Sequence, residues 1–187
     1  ECQKIDEGFV FVDPRKTEMG IKAIIEKSSF DKFVNRHNLS EEPYTNYNNL
    51  RIENLIPDSL QDLEVNKSLL LENNFDLINA IDWEKGCYVG QEITARMKYR
   101  SLLKKSLYKI LITEGYAKKN DRIFLNEKNI GNVTSVCNDR GLAMLKINEA
   151  IIARKNNIKL NSENSKIKIN NLINCFLLNT TSIRQKI

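Results

Sequence analysis

The sequence predicts an α+β protein, with a mixed α/β portion over residues 1–101 followed by a small β-barrel over residues 102–187. Three observations carry that expectation. Past Ser101 the chain becomes a series of short β-like runs ("KKSLYKILIT", "RIFLN", "IGNVTSVCN", "GLAMLKI", "KIKI", "LINCFLL") parted by Asn, Gly, Lys and Asp. Strands at that spacing suggest a barrel or sandwich. Charge divides at the same place: residues 1–100 hold 13 Lys/Arg against 18 Asp/Glu, and residues 101–187 hold 16 against 6. Upstream of the division, strand-like runs alternate with stretches of helical periodicity. With 41% hydrophobic and 28% charged residues, the 187-residue chain has the composition of a globular protein.

The elements follow in order. "GFVFVDPR" is an apolar run stopped by Asp13-Pro14, a strand entering a turn. "MGIKAIIEK" reads as a second strand. Ser28 or Ser29 can cap "FDKFVNRHN", where Phe30, Phe33 and Val34 share a helical face. "EEPYTNYNNLRIENLIP" reads as a helix with Pro43 near its first turn and Pro57 beyond its end. Tyr47, Leu50 and Asn54 line one side of it, while Arg51 and Ile52 begin the next. From Asp58 to Asp82 no period holds, which suits short turns and an extended piece. Gln91 to Tyr99 reads as a short helix, with Ile93 and Met97 four apart and Glu92 and Arg96 in the favourable order for an ion pair.

Composition removes several chemistries. Cys2, Cys87, Cys137 and Cys175 lie far apart and form no CxxC pair, which speaks against a zinc ribbon or disulfide scaffold and suits a reducing compartment. The single histidine, His37, sits at an apparent helix end, where capping is the plain expectation. No apolar run approaches the ~18 residues of a membrane span, so no membrane partner is expected. "ECQKIDEGFVFVDPR" lacks the basic start and apolar stretch of a secretory signal, and the chain starts without Met. A fragment or processed product, located in the cytoplasm or, in a eukaryote, the mitochondrial matrix, is the expectation.

The chemistry-bearing stretch is "WEKGCYVGQEITAR", Trp83 to Arg96. Gly86 and Gly90 permit backbone geometry that a side chain would block. If Gln91 opens a helix, Cys87 lies just before a helix N-terminus and close to Lys85, and both features favour thiolate. The plain alternative is a small buried cysteine in a tight turn. With no second ligand nearby, Cys87 cannot hold a metal centre within this chain alone.

"KGCYVGQEITAR" resembles the signature of the YgfZ-type folate-binding proteins, a branch of the superfamily of the glycine-cleavage T-protein (GcvT) that includes an iron–sulfur cluster assembly factor. Lys85, Gly86, Cys87, Tyr88, Gly90, Gln91, Glu92 and Arg96 carry it. "FVDPR…MG", "LRIENLIP" and "GNVTSVCNDRGLAMLKI" resemble further family segments, so the likeness runs from about Gly8 to Ile147. Leu55 and Ser101 stand where glycines are usual, and the family's portion upstream of Asp-Pro-Arg is absent.

The resemblance implies a GcvT-like folate-binding α/β region ending in a β-barrel. It implies tetrahydrofolate or a derivative as ligand, with Glu53 accepting from the pterin's adjacent N–H groups and Tyr47 stacking on the ring. Their alternatives are a solvent-facing glutamate and a half-buried helix aromatic. It further implies iron–sulfur assembly proteins or cluster enzymes, including tRNA-modifying ones, as partners. Cys87 would be a reactive thiol or donate to a transient iron–sulfur cluster shared with a partner. The alternative activity is aminomethyl or one-carbon transfer to tetrahydrofolate, for which Asp13, Asp58 or Glu92 could manage protons. RNA contact through Lys104, Lys105, Lys118 and Lys119 is a third reading; without interleaved aromatics, a solvated basic surface is favoured.

Overall fold

A computed structural model describes residues 2–86, 89–100 and 102–170. It opens with an antiparallel sheet of β1 (Cys2–Ile5), β2 (Gly8–Val12) and β3 (Ile21–Ile25), in that spatial order. Phe9 stands opposite Lys4 and Ile24, and Val12 stands opposite Ile21 on the other face. All four of Phe9, Val12, Ile21 and Ile24 are exposed, so the strand period of two places apolar groups on both faces. The β2–β3 connection turns at Pro14–Arg15 and again in a 3-10 turn at Thr17–Met19, and is closed by the Asp13 N–H donating to the Gly20 carbonyl at 2.9 Å.

Two helices follow. α1 (Phe30–Arg36) starts after Ser29, as expected, yet Ser29 makes no side-chain cap, and of the anticipated face only Phe33 is buried while Phe30 is exposed. His37 ends the helix with its N–H on the Phe33 carbonyl and its ring 4.7 Å from that of Phe33. α2 (Tyr44–Glu53) begins immediately after Pro43. Its buried residues are Asn48, Arg51 and Ile52, whereas Tyr47 and Leu50 are exposed. The sequence pattern located the helix and separated its two sides without saying which faces inward; the side that begins with Arg51 and Ile52 is the buried one, Arg51 by ion pairing rather than by apolar character.

Where α2 stops, the Ile56 N–H donates to the Arg51 carbonyl at 2.9 Å and the Leu55 N–H to the Ile52 carbonyl at 3.0 Å. Leu55 has φ of 57°. This pairing with a left-handed residue is the Schellman ending, which usually employs glycine. Residues 57–82 form successive turns with no regular element, in line with the missing period. α3 (Gln91–Tyr99) spans the residues expected of it.

The remainder is a closed six-stranded antiparallel barrel of β4 (Lys105–Gly115), β5 (Arg122–Leu125), β6 (Lys128–Cys137), β7 (Arg140–Lys146), β8 (Leu160–Ser162) and β9 (Ser165–Ile169), ordered β4-β7-β6-β5-β8-β9. Tyr108, Ile110, Ile123, Ile130, Val133, Ala143, Leu145, Leu160 and Ile167 fill its core. α4 (Ile147–Lys155) adds Ala150 and Ala153 to that core. The pattern "KKSLYKILIT" to "KIKI" anticipated five of these strands and left open whether they formed a barrel or a sandwich. β1, β8 and α4 were not anticipated: β8 is three residues long, β1 is largely polar, and α4 buries only small alanines. "LINCFLL" lies outside the described residues. The α+β class with a terminal barrel holds.

α2 lies against the outside of the barrel, where Ile52 and Leu55 pack with Leu107, Cys137 and Leu142. A smaller cluster of Met19, Ile56 and Ile78 ties the β2–β3 connection to the irregular segment.

Candidate functional site

α2 carries both residues expected to hold a ligand, Tyr47 and Glu53. At 100° per residue they are separated by about 120° around the axis, and their partners differ accordingly. The Tyr47 hydroxyl accepts from Arg15 Nη2 at 3.1 Å, and its ring lies 5.7 Å from that of Tyr44. Both tyrosines are exposed, forming an open aromatic surface beside a guanidinium.

Arg15 is itself positioned by Asp13, whose carboxylate accepts from Arg15 Nε at 3.0 Å, Arg15 Nη2 at 2.7 Å and the Arg15 backbone N–H at 2.9 Å. Lys22 Nζ adds an ion pair at 3.2 Å. The Arg15 hydrogen bonds hold the Asp13 carboxyl far below the ordinary carboxylate range, outweighing the opposing effect of burial. Asp13 thus spends its acceptor capacity on shaping the loop.

Glu53 faces the barrel. Its Oε2 accepts from Lys109 Nζ at 2.6 Å, its backbone carbonyl accepts from the same Nζ at 3.3 Å, and its Oε1 accepts from Arg140 Nη1. Burial pushes the Glu53 carboxyl upward, but the Lys109 hydrogen bond and the charges of Lys109 and Arg140 more than reverse this and leave it lowered. Glu53 is therefore ionised at neutral pH and one-third exposed. Both of its oxygens are thus held by cations of the barrel, and a carboxylate has about four lone-pair sites. Among the described residues Tyr47 and Glu53 do not converge on one enclosed pocket.

Between them sits a buried network that the sequence pattern did not reveal. Arg51, 1% exposed, donates to Asn48 Oδ1 at 2.6 Å, to Asp62 Oδ2 at 2.8 Å, to Gln61 Oε1 at 3.1 Å and to the Ile56 carbonyl at 3.2 Å. Asp62 Oδ1 accepts from Thr134 Oγ1 at 2.5 Å, bridging to β6. Lys109 offered one available clue, a cation in the middle of the apolar run "SLYKILI".

The expected signature is placed in part. Cys87 and Tyr88 lie outside the described residues. Gly90 precedes α3 with φ of 89° and with nothing near a would-be Cβ, so glycine serves backbone conformation there rather than close approach. Gly86 has no neighbour within 4 Å of a would-be Cβ either. Lys85 and Gly86 are exposed, Gln91 opens α3, and Glu92 pairs with Arg96 at 2.6 Å. Lys98 Nζ lies 3.5 Å from the Trp83 ring centroid, which draws the two ends of the signature together. Val89, Ile93 and Tyr99 are exposed around it. Glu92 pairs with Arg96, while Asp58 Oδ1 accepts from the Leu60 and Gln61 N–H groups, each at 2.9 Å. With Asp13 likewise engaged, each carboxylate considered for one-carbon transfer has a structural partner. Among the described residues no group of three His, Cys, Asp or Glu side chains converges on a metal position.

Residues 104–170 match a family described as CAF17, C-terminal beta-barrel domain. A stretch of 111 residues is 30% identical to the iron–sulfur cluster assembly factor IBA57 homolog, mitochondrial, of Dictyostelium discoideum, covering 58% of this chain and 27% of that protein. The corresponding mouse protein, iron–sulfur cluster assembly factor IBA57, mitochondrial, from Mus musculus, is 32% identical over 98 residues, 52% of this chain and 26% of its own. The matched stretches thus amount to about a quarter of the length of these relatives. The crystal structure of glycine cleavage system aminomethyltransferase T from Bartonella henselae superposes with a TM-score of 0.66 at 12% identity, over 92% of this chain and 51% of that one.

Proposed function

We propose that this chain, which belongs to the IBA57/CAF17 family of iron–sulfur cluster assembly factors and has a GcvT-like fold, is a folate-binding helper of iron–sulfur cluster assembly or repair. The observation that carries the reading is the union of assembly-factor relatives with an ionised glutamate, Glu53, standing one-third open on α2. Tetrahydrofolate, or a derivative, would offer its pterin donors to Glu53 or its ring to the Tyr44–Tyr47 surface. Lys109 and Arg140 would keep Glu53 charged in its acceptor form. Because the two residues diverge around α2, further walls of the pocket would come from outside the described residues.

In this reading Cys87 is a reactive or cluster-facing thiol, and the described residues nearest to it in sequence, Lys85, Gly86 and Val89, are exposed. The cluster is cargo, shared transiently with assembly proteins or client enzymes, tRNA-modifying ones among them. The relatives' mitochondrial designation makes the mitochondrion the proposed location. One-carbon transfer has less support, since Asp13, Asp58 and Glu92 are all engaged structurally. RNA contact has less support too: Arg122, Lys128, Lys159 and Lys166 on the barrel side are paired with carboxylates, and the Lys119 ammonium donates to the Leu60 carbonyl.

Calorimetric titration with tetrahydrofolate under anaerobic, reducing conditions tests the proposal. The 187-residue chain and a version extended to its relatives' length should bind saturably, and Glu53→Ala should weaken binding at least tenfold. Cys87→Ser should leave that binding unchanged while abolishing support of a client cluster enzyme. Absence of saturable binding in both lengths overturns the folate component.

A further inference from the structure

From Arg96 to Lys105 the sequence reads "RMKYRSLLKK", five cations and no carboxylate in ten residues. The run covers the last turns of α3 and the stretch leading into β4. α3 turns Thr94 and Met97 inward, where both are buried. At 100° per residue, Ile93, Arg96, Tyr99 and Arg100 lie on the other side within an arc of about 120°, and all four are exposed. Ile93 is 58% and Tyr99 72% exposed, and Val89 ahead of the helix and Leu102 beyond it are exposed as well.

Local structure accounts for part of this charge. Arg96 pairs at 2.6 Å with Glu92, the one carboxylate in α3, and Lys98 Nζ lies 3.5 Å from the Trp83 ring centroid. Cations near a helix C-terminus are also favoured by its dipole. Neither reason reaches Lys104, which lies beyond the helix, and Arg100 and Lys104 join no ion pair among the described residues. Lys105 then stands opposite Lys146 in the β4–β7 register, a like-charge pairing that is unfavourable in itself. The charges of these two lysines act on Glu72 and Glu149 respectively, so that pair is answered within the chain. What is left over is Arg100 and Lys104, set among exposed Ile93, Tyr99 and Leu102.

Apolar side chains interleaved with unmatched cations fit the reverse arrangement on a partner, carboxylates spaced by apolar anchors. Protein interfaces have apolar centres and polar rims, and opposite potentials orient the encounter. Four residues of chain span at most about 14 Å, so Arg100 and Lys104 can meet one short segment. RNA would require stacking rings, and Tyr99 is the single aromatic here, beside aliphatic Val89, Ile93 and Leu102.

We infer that the outward side of α3, with Leu102 and Lys104, docks an acidic segment of a partner protein. Its carboxylates meet Arg100 and Lys104, and its apolar side chains pack on Ile93 and Tyr99. Such docking rests on the assembly-factor reading for the class of partner but uses neither Glu53 nor Tyr47, so a failure here leaves the folate titration standing.

Anisotropy titrations of the 187-residue chain test this with three labelled probes at one ionic strength. They are a short Glu/Leu peptide, a Glu/Ser peptide of equal length and charge, and an oligouridylate of matched length. The Glu/Leu peptide should bind saturably and at least tenfold more tightly than either of the others. Arg100→Gln with Lys104→Gln should weaken it at least tenfold, and so should Ile93→Gln with Tyr99→Gln. Glutamine keeps a good helix propensity, and an unchanged circular dichroism spectrum checks that α3 persists. Lys155→Gln, at an exposed cation on α4, should leave the affinity unchanged. Equal affinity for the Glu/Ser peptide would reduce the strip to a solvated basic surface, and tightest binding of the oligouridylate would make it an RNA contact. Either result overturns the inference, as does the absence of saturable peptide binding or an equal loss in Lys155→Gln.

Discussion

Leu55 shows how one residue can be held in a costly conformation by its surroundings. Its φ of 57° is the left-handed geometry demanded by the Schellman ending of α2, yet its side chain is only 7% exposed among Ile52, Leu107, Cys137 and Leu142. Left-handed backbone costs a β-carbon-bearing residue about 1–2 kcal/mol, whereas losing a buried leucine side chain costs about 2–5 kcal/mol. Packing exceeds strain. Leu55→Gly, which installs the residue usual in the family, should therefore destabilise the chain by about 1–3 kcal/mol. A lowered urea midpoint with an unchanged slope would show it. An increased midpoint would mean that strain governs the position. The departure from glycine was visible in the sequence; its compensation by the barrel surface was not, because the partners are about 50 to 90 residues away.

At the scale of the element, the β2–β3 hairpin is stabilised by charge as well as by strand pairing. Asp13 gathers Arg15 and Lys22 across the connection, and Arg15 reaches on to Tyr47 of α2. The depressed pKa of Asp13 means that the folded state binds fewer protons than the unfolded one between the two values, so stability rises with pH in that interval. Its contribution is complete above the unfolded value of about 3.9 and diminishes as pH falls below it. Asp13→Asn should accordingly be less stable than the unsubstituted chain near neutrality. Urea titrations carried down in pH should show the gap narrowing below about pH 4, and a gap that stayed constant would remove the electrostatic explanation. "FVDPR" announced a turn through Asp-Pro, and the strand ahead of it was legible from its apolar run. Arg15, the main ionic partner of Asp13, stands in the same stretch, while the second cation, Lys22, comes from the next strand and only the fold brings it in.

For the whole molecule, the joint between its two portions adds a buried polar network to the apolar contact of Ile52 and Leu55 with the barrel. Arg51 from α2, Asp62 from the irregular segment and Thr134 from β6 form one buried chain of hydrogen bonds, and Glu53 adds a second tie to Lys109 and Arg140. Removing one member of a buried ion pair leaves the other charge uncompensated, at a cost of about 3–5 kcal/mol. Asp62→Ala should lose that amount in chemical denaturation. Amide exchange should quicken in α2 before it quickens in the barrel interior, whose apolar core is independent of Asp62. Uniform loosening of both would instead indicate a single cooperative unit.

What the sequence determined by itself is everything governed by short-range pattern. The strand runs past residue 104, the helices before Arg36, Glu53 and Tyr99, and the Gly90 turn ahead of α3 all follow from periodicity and backbone preference. Its signature also led to the assembly-factor family. The tertiary structure alone decided which side of α2 is buried, that β8 and β9 close the barrel onto β4, and that Glu53 meets two cations while Tyr47 meets Arg15. Those outcomes depend on charges and acceptors brought together from distant positions. A buried arginine reads as polar in any local window, and only the arrival of Asp62 and its neighbours makes its burial favourable.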